Sequence, residues 1–336
     1  MNRRYAFLVS LTLFITFSSL IAQEPGGGSL RPDITGGADL IFRPPKNPTI
    51  QDLGGGGRVA GRSDTKPKER KQDPILKRAN AARSAPKPRY GEAEQQYRLA
   101  TEVAPDDARA FAGLGNVYVD QGKFTEAVDA YQKALKIDPE YKDAYLPLAF
   151  SLARLNRYNE ALEIYQKAQK AEPNNPEVYN NVSFAYNHLD RFQDAVDASQ
   201  QAIKLLGATG EAYTQGFQER KEVLSYAYKN LGNAFNGLKR YEEAANALKE
   251  AAKIEPTNAA AHFNLGLTLY NAGRYSEAIE AYKEVIKLRP NLAQAHYNLG
   301  LTYMAINDKT QAKAEYEILK NLNVDLANQL AEMIKR

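Results

Sequence analysis

At 336 residues the chain is long enough for one large or two ordinary domains, and 43% hydrophobic against 25% charged residues is the balance of a chain that buries a core. It has no cysteine, which excludes disulfides, lipid attachment through a thiol and a thiol nucleophile, so packing alone must hold it together. The small net charge of +4 conceals a division: residues 58–90 carry eleven Lys/Arg against three Asp/Glu, whereas residues 91–336 sum to −5, so a basic arm precedes a mildly acidic body.

Residues 1–22 read as an export signal. A basic start, Asn2-Arg3-Arg4-Tyr5, leads into an uncharged apolar run from Ala6 to Ala22 and then into the polar Gln23-Glu24-Pro25. The run is 17 residues with five Ser/Thr, shorter than a membrane span of roughly 20. The expected location is therefore periplasmic or extracellular. Leu20 stands where a small residue is preferred before the cut, so an uncleaved membrane anchor is the alternative.

Residues 23–73 form a linker rich in Gly, Pro and basic residues, which cannot bury enough apolar surface to offset the entropy of ordering it. Within it, Asp39-Leu40-Ile41-Phe42-Arg43-Pro44-Pro45 reads either as an extended docking peptide or as scattered apolar residues in a tether. Gly56 to Ser63, GGRVAGRS, comes within one residue of a phosphate-cradling loop, but Arg62 stands where Lys is required and no strand or helix flanks it. The basic arm has only Tyr90 to stack on bases, which argues against nucleic acid; contact with an anionic membrane surface, or a solvated spacer, suits it better.

After Tyr90 helical periodicity is uninterrupted, and AHFNLGLT at Ala261 returns 34 residues later as AHYNLGLT at Ala295. Blocks of 34 starting at Ala108, Lys142, Pro176, Ser225, Ala259 and Ala293 align, with Pro at position 32 in the regular copies. The first block holds Phe111, Leu114, Gly115, Tyr118, Ala127, Tyr131, Ala134 and Pro139 at positions 4, 7, 8, 11, 20, 24, 27 and 32. Positions 4, 7, 8 and 11 share one helix face, and the small residue at 8 lets the return helix approach. Proline at 32 ends one pair of helices and sets the turn into the next. A single pair has nothing to bury its apolar stripe against except its neighbour, so the pairs must stack.

These residues resemble the tetratricopeptide repeat family from Ala108 to the C-terminus, and the resemblance implies an all-α, right-handed superhelical solenoid of helix-turn-helix repeats. The domain organisation expected is a signal (1–22), the linker (23–73), a degenerate repeat (74–107), three repeats (108–209), an insertion (210–224), three more repeats (225–326) and a capping helix (324–336).

In this family first-helix positions 2, 5, 6, 9, 12 and 13 look into a concave groove. Position 6 here holds Asn181, Asn230, Asn264 and Asn298, similar to the asparagine ladder of the O-linked N-acetylglucosamine transferases, whose amides can both donate to and accept from a peptide backbone. Lys229 and Asn233, followed by Asn264, resemble part of the carboxylate clamp of heat-shock chaperone adaptors, incomplete because Gln294 and Asn298 stand where basic residues belong. Phe150, Phe184, Phe263, Tyr270 and Tyr297 are expected to add apolar pockets. His262 and His296, both at position 4, are expected to fill the aromatic slot; helices about 8–10 Å apart hold them too far apart to share a zinc.

No catalytic residue, metal site or cofactor is expected, since no HExxH spacing and no GxSxG turn occurs. The expected role is a non-catalytic scaffold that binds a protein or peptide. A self-associating scaffold and an accessory substrate-binding subunit of an envelope enzyme such as a glycosyltransferase are the alternatives, and the oligomeric state is left open.

Overall fold

The computed structural model describes residues 70–207 and 217–335. The signal, most of the linker with its apolar heptapeptide and GGRVAGRS, and residues 208–216, which include the start of the insertion, lie outside the described residues. Among the described residues there are fifteen α-helices and no strand. The chain divides into two compact units, Leu40–Arg191 and a second containing Phe192–Arg336.

The first unit contains α1 (Asp73–Arg83), α2 (Tyr90–Val103), α3 (Ala108–Asp120), α4 (Phe124–Ile137), α5 (Tyr145–Arg154), α6 (Tyr158–Ala171) and α7 (Pro176–His188). Each helix packs on the next, and α1 on α3 and α5 on α7 also touch, so the pairs stack as the spacing demands. Local chemistry sets the starts. Asp107 caps α3 by accepting from the Arg109 amide at 3.0 Å, and Asn175 does the same for α7 through the Glu177 amide, with Pro176 at the first helical position where no donor is missed. A short 3₁₀ turn, Lys142–Ala144, feeds α5; Pro147 falls in the first turn of that helix, where its missing N–H costs nothing.

The second unit contains α8 (Phe192–Gly207), α9 (Phe217–Gly237), α10 (Tyr241–Ile254), α11 (Ala259–Asn271), α12 (Tyr275–Leu288), α13 (Ala293–Ala305), α14 (Lys309–Leu322) and α15 (Val324–Lys335). At 21 residues α9 is the longest of these, because it begins upstream of Ser225 where the repeat starts. The last helix covers the end of its stack: Leu326, Ala327 and Leu330 bury themselves against Leu301 and Leu319, with Tyr297 and Tyr316 partly buried beside them.

One turn is common to all six repeats. Position 15 takes a left-handed backbone at Gly122, Asn156 and Asp190 in the first unit and at Lys239, Gly273 and Asn307 in the second. The next amide then reaches back to the carbonyl at position 11, as Lys123 does to Tyr118 at 2.8 Å and Arg274 to Leu269 at 2.8 Å. The reversal satisfies the carbonyls that end the first helix and lets the second run back along it.

The close approach at position 8 is equally concrete. A Cβ on Gly115 would sit 2.7 Å from the Tyr131 ring, one on Gly266 2.8 Å from Tyr282, and one on Gly232 2.5 Å from Leu248. Each of these neighbours occupies position 24 of the same repeat. Tyr131, Tyr165 and Tyr282 are at most 1% exposed there, so each ring fills the space that the small residue at 8 leaves.

Candidate functional site

Position 4 has a role that spacing alone does not show. The side chain there bonds to the carbonyl of the proline that closes the preceding repeat: Tyr145 to Pro139 and Tyr179 to Pro173 in the first unit, His262 to Pro256 (3.0 Å) and His296 to Pro290 (2.9 Å) in the second. The two histidines thus do the same work as the tyrosines. His296 adds a contact between Nδ1 and the Glu315 carboxylate at 2.7 Å, and that bond holds its pKa above the ordinary histidine value. With a carbonyl at one ring nitrogen and a carboxylate at the other, the imidazolium satisfies both. Among the described residues no group of His, Asp and Glu is arranged to hold a metal ion.

The amide row differs from an open ladder. Asn181, Asn230 and Asn298 are no more than 2% exposed, whereas Asn264 is half-buried and donates to Asn233 at 2.8 Å. Position 6 faces the helix that closes the preceding repeat: a Cβ on Gly113 at this position would meet the Tyr97 ring at 2.1 Å, and Asn298 lies beside the Tyr282 hydroxyl, whose pKa burial drives up and that asparagine pulls down. In the second unit, therefore, position 6 belongs as much to the joint between repeats as to the inward face. The carbonyls of Asn264 and Asn298 accept from Thr268 and Thr302, which places two more polar side chains inside the same helices. Lys229 is 1% exposed, with its ammonium 4.8 Å from the Tyr226 ring centre, so its charge is turned into the protein and away from solvent.

The aromatic candidates divide in the same way. Phe150, Phe184 and Phe263 are at most 6% exposed. Tyr270 and Tyr297 keep part of their surface open; burial lifts the Tyr270 hydroxyl to about 12, and Tyr275 packs edge-on against that ring at 5.5 Å. Asn233, Asn264, Tyr270 and Tyr297 are thus the predicted site residues that remain accessible, all of them in the second unit.

In the first unit the structure assembles a constellation that sequence reasoning missed. Phe124, at position 17, meets Phe150 of the next repeat at 6.0 Å, and the Arg154 guanidinium lies 4.6 Å from the Phe124 ring centre. One repeat later Tyr158 meets Phe184 at 6.1 Å and stacks on His188 at 4.7 Å with the planes 7° apart. The recurrence of an aromatic at position 17 (Phe124, Tyr158, Phe192, Tyr241, Tyr275) was the available signal.

A polar cluster closes the N-terminal end of this unit. Arg83 pairs with Asp120 at 2.6 Å, and Arg109 bonds both Asp107 and Asp73, with Gln72 donating to Asp107 at 2.8 Å. These charged hydrogen bonds hold the Asp107 carboxyl below its ordinary range against the upward push of burial. They tie the degenerate helix α1 to α3.

Comparison with known proteins places the repeats in a family. Family models described as "Tetratricopeptide repeat" match residues 77–142, 118–183 and 294–323, and one described as "TPR repeat" matches residues 232–273 and 269–307. No curated protein matches the chain. Among solved structures, a tetratricopeptide repeat protein from Parabacteroides merdae is similar with a TM-score of 0.58 at 14% identity, covering 79% of this chain and 99% of that one. PilW, described as a widely conserved type IV pilus biogenesis factor, is similar with a TM-score of 0.57 at 20% identity, covering 68% of this chain and 98% of that one. A chain of the APC/C hetero-tetramer Cut9–Hcn1 gives a TM-score of 0.56 at 20% identity over 68% of this chain, which spans 42% of that neighbour's length. At these identities the likeness is one of fold.

Proposed function

This chain belongs to the tetratricopeptide repeat family, and we propose that it is a non-catalytic scaffold that holds a protein or peptide ligand along the inward positions of its first helices. The observation that carries this reading is the Asn233–Asn264 pair, two half-buried amides from successive repeats bonded to one another, with the partly open Tyr270 and Tyr297 in the neighbouring positions. Amides in that setting can exchange their mutual bond for bonds to an extended backbone, and tyrosine rings supply contact area at little entropic cost. The buried Asn230, Asn298, Lys229 and Phe263 lie on the same helices as this surface and hold it in place, while Asn181, Phe150 and Phe184 are buried in the first unit. A preformed surface spares the receptor most of the ordering entropy on binding.

Export through residues 1–22, followed by residence in the periplasm or outside the cell, is part of the same proposal, as is contact of the basic linker with an anionic membrane. Crosslinking in the native envelope with mass spectrometry of captured partners identifies the ligand. Asn233→Ala with Asn264→Ala is then expected to weaken its binding about tenfold, the loss of one or two hydrogen bonds, while the melting temperature changes little; unchanged affinity removes these amides from the site.

Self-association is the second reading, favoured by Leu99 and Val103, which lie one turn apart on α2 and are 42% and 45% exposed. Sedimentation velocity showing a monomer at every concentration rejects it.

A further inference from the structure

We infer that the first unit carries its own specificity element: Arg154, backed by rings, selects a ligand segment bearing a carboxylate. This rests on the scaffold reading above and names the chemistry of the ligand at one part of it.

Arg154 is exposed, yet its guanidinium is not loose. It lies 4.6 Å from the Phe124 ring centre and 5.9 Å from that of Phe150, and these two rings meet edge-to-face at 70°. A cation–π contact of this kind spends none of the five N–H donors on an acceptor, and the planar fork suits a carboxylate bound by two parallel hydrogen bonds. Two acidic residues of the first unit are engaged elsewhere. Asp120, at the same position one repeat earlier, is held by Arg83 at 2.6 Å, and Glu160 is held by Arg157 at 2.7 Å. No carboxylate among the described residues is bonded to Arg154.

The arrangement recurs one repeat on. His188 is exposed at the position equivalent to Arg154, stacked on Tyr158 at 4.7 Å and 4.4 Å from Phe184. The matching positions in the second unit are Gly237, Asn271 and Ala305, so this charge preference belongs to the first unit alone.

The test uses the full chain and a fluorescein-labelled Ser/Ala peptide carrying Glu residues, with its Gln counterpart as control, in fluorescence anisotropy titrations. The acidic peptide is expected to bind about tenfold more tightly than the Gln peptide, the effect of one charge-assisted pair. Arg154→Gln should abolish that preference with the melting temperature unchanged, and Arg154→Lys, which keeps the charge but loses the planar fork, should restore only part of it. Raising the salt concentration should narrow the gap between the peptides. Equal binding of the two peptides, or a preference that survives Arg154→Gln in a folded protein, overturns the inference. If envelope crosslinking still captures a ligand through Asn233 and Asn264, the scaffold reading survives that result; if capture is also lost, both fall.

Discussion

The two units repeat one frame and fill it with different chemistry. In residues 70–191, positions 9 and 13 hold Asn116 with Asp120 in the first repeat, then Phe150 with Arg154 and Phe184 with His188, rings beside nitrogen-bearing side chains, in the next two. In residues 217–335 the corresponding positions hold Asn233 with Gly237, Leu267 with Asn271 and Leu301 with Ala305, and the polar side chains there are amides. Yet the left-handed turn at position 15, the small residue at 8 in most copies and the ring-to-proline bond at 4 occur in both. The lesson is a separation of duties. Residues that fix how one helix lies on another are repeated, and residues on the inward positions vary without disturbing them.

If the frame is truly shared, the same damage must cost both units alike. Tyr131→Ala and Tyr282→Ala empty the position 24 slot in the first and second unit, and each should lose about 3–5 kcal/mol in urea unfolding. Tyr131 also bonds Asn116 at 2.7 Å and the Tyr282 hydroxyl lies beside Asn298, so the two losses should be alike. A cost in one unit only breaks the comparison.

Overfilling is a gentler probe. Gly115→Leu and Gly266→Leu press a side chain into rings 2.7 and 2.8 Å from the added Cβ and should cost about 1–3 kcal/mol each, read from the same denaturation curves. Wild-type stability at either position contradicts the helix register.

The smallest effect sharpens the comparison within the second unit. His296 has a raised pKa through Glu315, so the stability it contributes is complete below the unfolded value of about 6.5 and is lost as pH rises through the higher folded value. Its share is about 1 kcal/mol, the net contribution of a typical hydrogen bond. Melting curves across that range should show the loss in the natural protein and not in His296→Gln. A pH-independent difference between the two would remove the ion pair as its cause.

Much of the frame was legible because spacing is a steric demand. Pro139, Pro173, Pro256 and Pro290 mark where helices must stop, and Gly115, Gly232 and Gly266 mark where they must come close. The turn residue at 15 escaped notice because Gly122, Asn156, Asp190 and Lys239 share a backbone conformation and no common side chain. Depth was harder than direction. The sequence places Asn181, Asn230 and Asn298 in one row, but how far each sinks depends on the side chain of the helix packed against it, as the contact between Gly113 and Tyr97 shows. Likewise the Arg154 stack needs Phe124 from another helix, a pairing across 30 residues that no local pattern announces.

The bond from position 4 to the prolyl carbonyl behind it bears on how such a chain changes length. The blocks from Lys142 and Ala259 bring a plug at the front and a socket at the back: in the second of them His262 reaches Pro256, and Pro290 receives His296. A duplicated or deleted block therefore carries both halves of the joint with it, and the seams on either side close as before. Growth and shrinkage in whole blocks is the alteration this architecture absorbs most easily, and a ligand-reading surface can be lengthened by a step without inventing a new junction.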